Sequence, residues 1–111
     1  MNIRLKLDLR GVADLDGLHA RLAQLFGFPS FYGKNYPALV DCLSSLRYPD
    51  DGMTQVALKS SSEAVELQVK GLSSCAADIS LTLLSAVEAI NDRLIQRKLE
   101  PSIYLLLVRD S

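Results

Sequence analysis

Six residues near the C-terminal end, Ile103, Tyr104, Leu105, Leu106, Leu107 and Val108, form an unbroken run dominated by large aliphatic side chains. The run is far short of the ~18 residues that cross a membrane. Pro101, just before it, stops any helix arriving from upstream. A strand with apolar side chains on both faces is expected where both faces are covered, at the centre of a parallel sheet. Parallel neighbours need crossover connections, so helices must lie between the strands. At 111 residues the chain has room for one domain, residues 1–111.

The preceding residues supply those elements. Ile3, Leu5, Leu7 and Leu9 alternate with Arg4, Lys6 and Asp8, which predicts a strand over 3–9 with one buried face. Asp14 suits the N-cap of a helix over 14–26, whose apolar stripe is Leu15, Leu18, Leu22 and Leu25. Gly27 closes it. Asn35 suits the cap of a second helix over 36–46, with Pro37 in its first turn and Tyr36, Leu39, Val40, Leu43 and Leu46 on one face.

Tyr48-Pro49-Asp50-Asp51-Gly52 is turn chemistry. Val56 and Leu58 predict a short strand over 55–59, from Gln55 to Lys59. Val65, Leu67 and Val69 alternate with Glu66 and Gln68, which fits an extra strand over 65–69 or a helical turn. Ile79, Leu83, Ala86, Val87, Ile90 and Leu94 mark the core face of a long helix over 77–98, from Ala77 to Lys98. The expected fold is α/β, a single small layered domain. Its sheet is three-stranded and mostly parallel, built from 3–9, 55–59 and 103–108, with 65–69 as the extra strand.

Twelve basic residues against thirteen acidic ones leave a net charge of −1, which argues against direct nucleic-acid binding. With 49% hydrophobic residues the chain has enough apolar surface to fold. The first eight residues alternate charge with hydrophobe and lack the apolar core of a signal peptide, so a cytoplasmic location is expected, with no membrane partner. Cys42 and Cys75 are too few for a disulfide framework and too far apart for a compact zinc site. Free thiols, no metal and no cofactor are the expectation.

His19 is the only histidine, so any Ser-His-Asp or Cys-His site would have to use it. No base and nucleophile stand at a suggestive spacing, and Asp41 beside Cys42 would raise the thiol pKa. The glycines form neither a dinucleotide loop nor a P-loop. An enzyme is therefore not expected. Phe31 and Tyr32 are adjacent aromatics in a Gly-containing loop and cannot easily share one core, so one of them should be exposed as a binding contact.

The stretch Phe28-Pro29-Ser30-Phe31-Tyr32-Gly33-Lys34-Asn35-Tyr36-Pro37-Ala38-Leu39-Val40-Asp41-Cys42-Leu43 resembles the signature of the barstar family of ribonuclease inhibitors. Pro29, Tyr32, Gly33, Asn35, Ala38, Leu39, Asp41, Cys42 and Leu43 match it, and Phe31 fills its aromatic slot. The resemblance implies a small α/β domain with helices around a mostly parallel sheet. It also implies an inhibitor or immunity protein of a toxin–antitoxin pair, a monomer when free. Such a protein plugs the active-site cleft of a secreted or delivered ribonuclease toxin. Asp41 would stand in for an RNA phosphate and accept charge-assisted bonds from the cleft. Phe31 and Tyr32 would be aromatic contacts, Asn35 a loop contact, and Val40, Ser44 and Ser45 neighbouring contacts.

The sequence departs from the family pattern in its contact positions and in a longer segment from Ser60 to Cys75. Pro37 occupies an acidic contact position, Val40 an often aromatic one, and a distal helix acid has only Glu88 and Asp92 as candidates by region. These departures motivate an alternative: the same fold as a protein-interaction or regulatory module without a nuclease target. Tyr48-Pro49 also lies near an aromatic–proline pair of the family that can be cis.

Overall fold

A computed structural model describes residues 2–109. The strands are β1 (Ile3–Asp8), β2 (Val65–Lys70) and β3 (Ile103–Val108). The helices are α1 (Leu15–Phe26), α2 (Tyr36–Leu43) and α3 (Ala77–Gln96), with a single 3-10 turn at Pro49–Asp51. The three strands form one parallel sheet in the order β1-β2-β3, with Val65 opposite both Ile3 and Ile103.

The alternation in β1 and β2 sorts the side chains. Leu7, Val65, Leu67, Val69 and Ile103 are buried on the side of the helices. There they meet Leu18, Leu22 and Phe26 of α1, Leu39 and Leu43 of α2, and Ile79, Leu83 and Ile90 of α3. Arg4, Lys6, Glu66, Gln68, Tyr104 and Leu106 have the opposite parity and line the other face of the sheet, which solvent reaches.

Two expectations about the sheet are corrected. Residues 55–59 are not a strand, and 65–70 is the middle one. Val56 and Leu58 are apolar because they do pack inward, Leu58 fully. Their backbone is satisfied elsewhere. Gln55 and Val56 N–H both donate to the Phe26 carbonyl at the end of α1, and Leu58 N–H donates to Leu46. The last carbonyl of α1 and a carbonyl of the turn after α2 thus take the donors that a neighbouring strand would have used.

The second correction concerns β3, which is an edge strand and not the centre. Of its six residues only Ile103 is buried. The apolar run therefore does not reflect cover on both faces.

The helix ends also shift. Asp14 is the N-cap of α1, its carboxylate accepting from Gly17 N–H at 2.8 Å. α2 stops at Leu43 and not at 46. Beyond it Ser45 N–H bonds back three residues to Cys42, and Ser44 Oγ donates to the Val40 carbonyl at 2.6 Å. α3 ends at Gln96, two residues before 98, and Lys98 takes a left-handed φ of 62° just after it. Among the described residues no peptide bond is cis, so Tyr48–Pro49 is trans.

Gly27 is needed for two reasons. It ends α1 with φ 71°, and a Cβ there would fall 2.6 Å from Gln55 Cβ. Gly27→Ala should cost about 2–4 kcal/mol, combining the left-handed penalty with the clash. Urea unfolding checks this. Gln55→Gly in the Gly27→Ala background should recover the clash part and leave the backbone part.

Candidate functional site: the aromatic loop and helix α2

The segment between α1 and α2 folds back on α1. Phe28 stacks on Phe26 at 5.9 Å between ring centroids, and Tyr32 packs on Phe28 at 4.7 Å. Tyr32 N–H donates to the Pro29 carbonyl, which closes a turn. Tyr32 Oη lies 2.6 Å from His19 Nδ1 in α1, a hydrogen bond with the rings 5.7 Å apart. With Tyr32 turned inward, its neighbour Phe31 turns outward and is 69% exposed. The expectation that one aromatic of the pair would be exposed is met, and Phe31 is the one.

Asn35 ends the loop by capping α2, its Oδ1 accepting from Ala38 N–H at 2.8 Å. Its Nδ2 reaches back to the Gly33 carbonyl. Lys34 supports this turn in a left-handed conformation, φ 51°. The cap fixes the start of α2 and hence the direction in which the helix presents Asp41.

Asp41 is exposed on α2. Among the described residues the ion pairs are Arg4–Glu66 and Arg10–Asp8, so the Asp41 carboxylate carries no cationic partner of its own. Next to it Cys42 is buried, and burial first, then the Asp41 charge, pushes its thiol pKa up. That is the opposite of an activated nucleophile.

The seven residues singled out from the sequence fall into three groups. Phe31, Asn35 and Asp41 are exposed along one continuous stretch of loop and helix. Tyr32 and Ser44 are half-buried, Tyr32 bonded to His19 and Ser44 to its own helix. Val40 and Ser45 are only 4% and 7% exposed in the free chain. Val40 belongs to the core stripe, and Ser45 Oγ donates to Asp51 Oδ2 at 3.1 Å, tying the 3-10 turn to the end of α2.

Residues that sequence reasoning passed over also shape the site. His19 is a buried strut under the loop, bonded to Tyr32, and nothing in the residues around it in the sequence marks that role. Arg93 of α3 and Arg97, which caps its C-terminal end, line a shallow cleft with Ser44 and Tyr48. The flank of α3 nearest α2 is therefore basic, and Glu88 and Asp92 project about a quarter-turn or more away from it. Among the described residues no group of three His, Cys, Asp or Glu side chains is placed to hold a metal ion.

Burial holds the His19 pKa below the usual histidine value of 6.5, with Lys34 adding to the shift and Asp16 opposing it. As pH falls, the unfolded chain therefore binds this proton first. Stability from the neutral His19 is in place above about pH 6.5 and drains away as pH falls below it. Urea midpoints should fall between pH 7 and 5, and His19→Gln should flatten that slope.

The site is thus an exposed aromatic, an Asn cap and an unpaired carboxylate, set in sequence on a parallel three-stranded α/β domain. The chain belongs to the Barstar family, described as Barstar (barnase inhibitor), whose family model matches residues 3–105. Members of that family are inhibitors rather than enzymes. No curated protein matches the chain significantly. No helix among the described residues is long and apolar enough to cross a membrane.

Proposed function

We propose that this chain, residues 1–111 acting as one barstar-like domain, is a cytoplasmic inhibitor or immunity protein that plugs the active-site cleft of a ribonuclease toxin. The observation that carries this reading is the exposed, unpaired Asp41 on a helix whose start is fixed by the Asn35 cap. A cleft that holds RNA phosphate presents cations, and a rigidly held carboxylate can accept several charge-assisted bonds from them. Phe31 would pack on the cleft rim, Asn35 and Ser44 would meet its polar edge, and Tyr32 would act mainly by holding Phe31 outward. Val40 and Ser45 would serve the contact by packing beneath it.

One observation favours a second reading, an interaction or regulatory module without a nuclease target. The flank beside Ser44 carries Arg93 and Arg97, so the face is not uniformly acidic.

The test is capture with tagged wild type and Asp41→Ala from the lysate and secreted fraction of the source cell. Captured proteins are then assayed for RNA cleavage with and without added wild-type chain. A ribonuclease held and inhibited by wild type, and released by Asp41→Ala, is the expected result. Capture of a protein without nuclease activity, indifferent to the substitution, would overturn it in favour of the second reading.

A further inference from the structure

The edge strand β3 leaves apolar side chains and backbone hydrogen-bonding groups open together. Tyr104, Leu106 and Leu107 are 49%, 52% and 62% exposed. Val65 N–H donates to the Ser102 carbonyl, which fixes the phase of the ladder. Residues 104, 106 and 108 point their backbone groups at β2, and 103, 105 and 107 point theirs outward.

Ile103 is already taken care of. Asn91 of α3 accepts from Ser102 N–H and Ile103 N–H through Oδ1 and donates to the Ile103 carbonyl through Nδ2. This side chain blunts the first outward position and leaves those of Leu105 and Leu107 as the open edge, a template for another strand.

We propose that β3 pairs antiparallel with β3 of a second copy of this chain, about a two-fold axis at Leu106, making one continuous six-stranded sheet. That register sets Leu105 opposite Leu107 of the other copy. Both residues of the pair have outward backbone groups, so the two equivalent pairs form four hydrogen bonds. On the open face of the sheet Leu106 meets its own equivalent and Tyr104 meets Val108.

The helix side is self-complementary as well. Leu84 lies seven residues before Asn91 and so projects from α3 in nearly the same direction, toward the β3 edge. It stands about 10 Å back along the helix, level with the middle of β3, and is exposed. The axis therefore brings Leu84 near its own equivalent.

Charge agrees with this register. Arg109 of one copy falls opposite Ile103 of the other, near Glu88, which stands about 60° around α3 from Asn91. The exposed apolar side chains along this edge, Tyr104, Leu106, Leu107, Val108 and Leu84, present on the order of 400 Å² per copy. That is about half of the ~800 Å² per partner of a standard interface, and the paired backbone and polar margin add to it. Asp41 lies on α2, which packs on the opposite flank of α3, so both copies keep that face free. Pairing thus replaces the free monomer expected from the sequence and does not depend on the inhibitor reading.

The test is sedimentation velocity with light scattering on the full chain from about 1 to about 100 μM. Wild type should approach twice the chain mass. Leu106→Lys, which sets two ammonium groups on the axis, should be monomeric. So should Leu107→Pro, which removes an outward N–H and no bond to β2. Both should keep the wild-type circular dichroism, and Leu106→Lys decides alone if the proline variant unfolds. In the wild type, the Leu105 and Leu107 amides should be protected from hydrogen exchange at high concentration only. A wild-type monomer throughout this range would overturn the proposal. So would a dimer that survives Leu106→Lys, or protection of those amides only when a different protein is added.

Discussion

Asp41→Ala should weaken binding of the ribonuclease partner by about 30-fold to a few thousand-fold, while stability changes by less than about 0.5 kcal/mol. The asymmetry follows from where the side chain stands. In the free chain Asp41 faces water with no cationic partner, so folding gains little from it. In a cleft built for phosphate it would become a desolvated acceptor among cations. Removing one member of such a set costs about 2–5 kcal/mol, because the remaining charges are left buried and unpaired. Calorimetric titration of partner into wild type and variant measures the first effect, and urea unfolding of the free proteins the second. Equal affinities would rule out the phosphate-mimic role. A loss of stability matching the loss of affinity would make Asp41 a structural residue. Asp41→Asn separates charge from shape and should lose most of what alanine loses.

The largest expected effect on the fold comes from Arg47, just beyond α2. Its Nη1 donates to the Glu100 carbonyl at 2.6 Å, and its Nη2 to those of Glu63 and Pro101 at 2.9 and 3.2 Å. Those carbonyls stand just ahead of β2 and β3. One guanidinium therefore ties the entrances of two adjacent strands to the end of the helix that carries Asp41. Arg47→Ala leaves three carbonyls without their donor, which should cost about 3–5 kcal/mol. For a domain of this size that lowers Tm by on the order of 10–30 °C. Lysine keeps the charge but lacks the planar fork, so Arg47→Lys should recover only a minor part. Thermal unfolding of both variants checks this, and an alanine variant within 0.5 kcal/mol of wild type would refute the clamp.

Arg47 also shows where the sequence stops being informative. A lone arginine after a helix looks like a solvated surface residue, and nothing local shows that three distant carbonyls converge on it. Features written in local chemistry were legible: the alternation of β1, the Asp14 and Asn35 caps, the Gly27 stop and the core stripe of α3. The loop signature from Pro29 to Leu43 carries the family resemblance that the match over residues 3–105 bears out.

The choice between 55–59 and 65–70 as a strand was not legible, because both alternate and only pairing separates them. Val56 and Leu58 pack into the core from a loop whose N–H groups bond to Phe26 and Leu46, and Val65, Leu67 and Val69 pack under the helices from a strand. The edge position of β3 was hidden for a related reason. Apolar composition reports what a strand carries and not which neighbours cover it. Within the site, the exposure of one aromatic of the Phe31–Tyr32 pair and the capping role of Asn35 followed from loop and cap chemistry. The burial of Val40 was also written in the apolar stripe of α2, whereas that of Ser45 depended on the early end of the helix and its bond to Asp51.

The bond between Tyr32 and His19 bears on the thermodynamics of recognition. Pinned beneath by an imidazole and at its end by the Asn35 cap, the loop around Phe31 holds one shape before any partner arrives. Its conformational entropy is lost when the chain folds and is not charged again at docking. On this side of the interface the surface would then be preformed, and folding of the loop would add nothing to the heat-capacity change of binding. Cutting the tether with Tyr32→Phe would move that ordering cost from the folding equilibrium to the binding equilibrium.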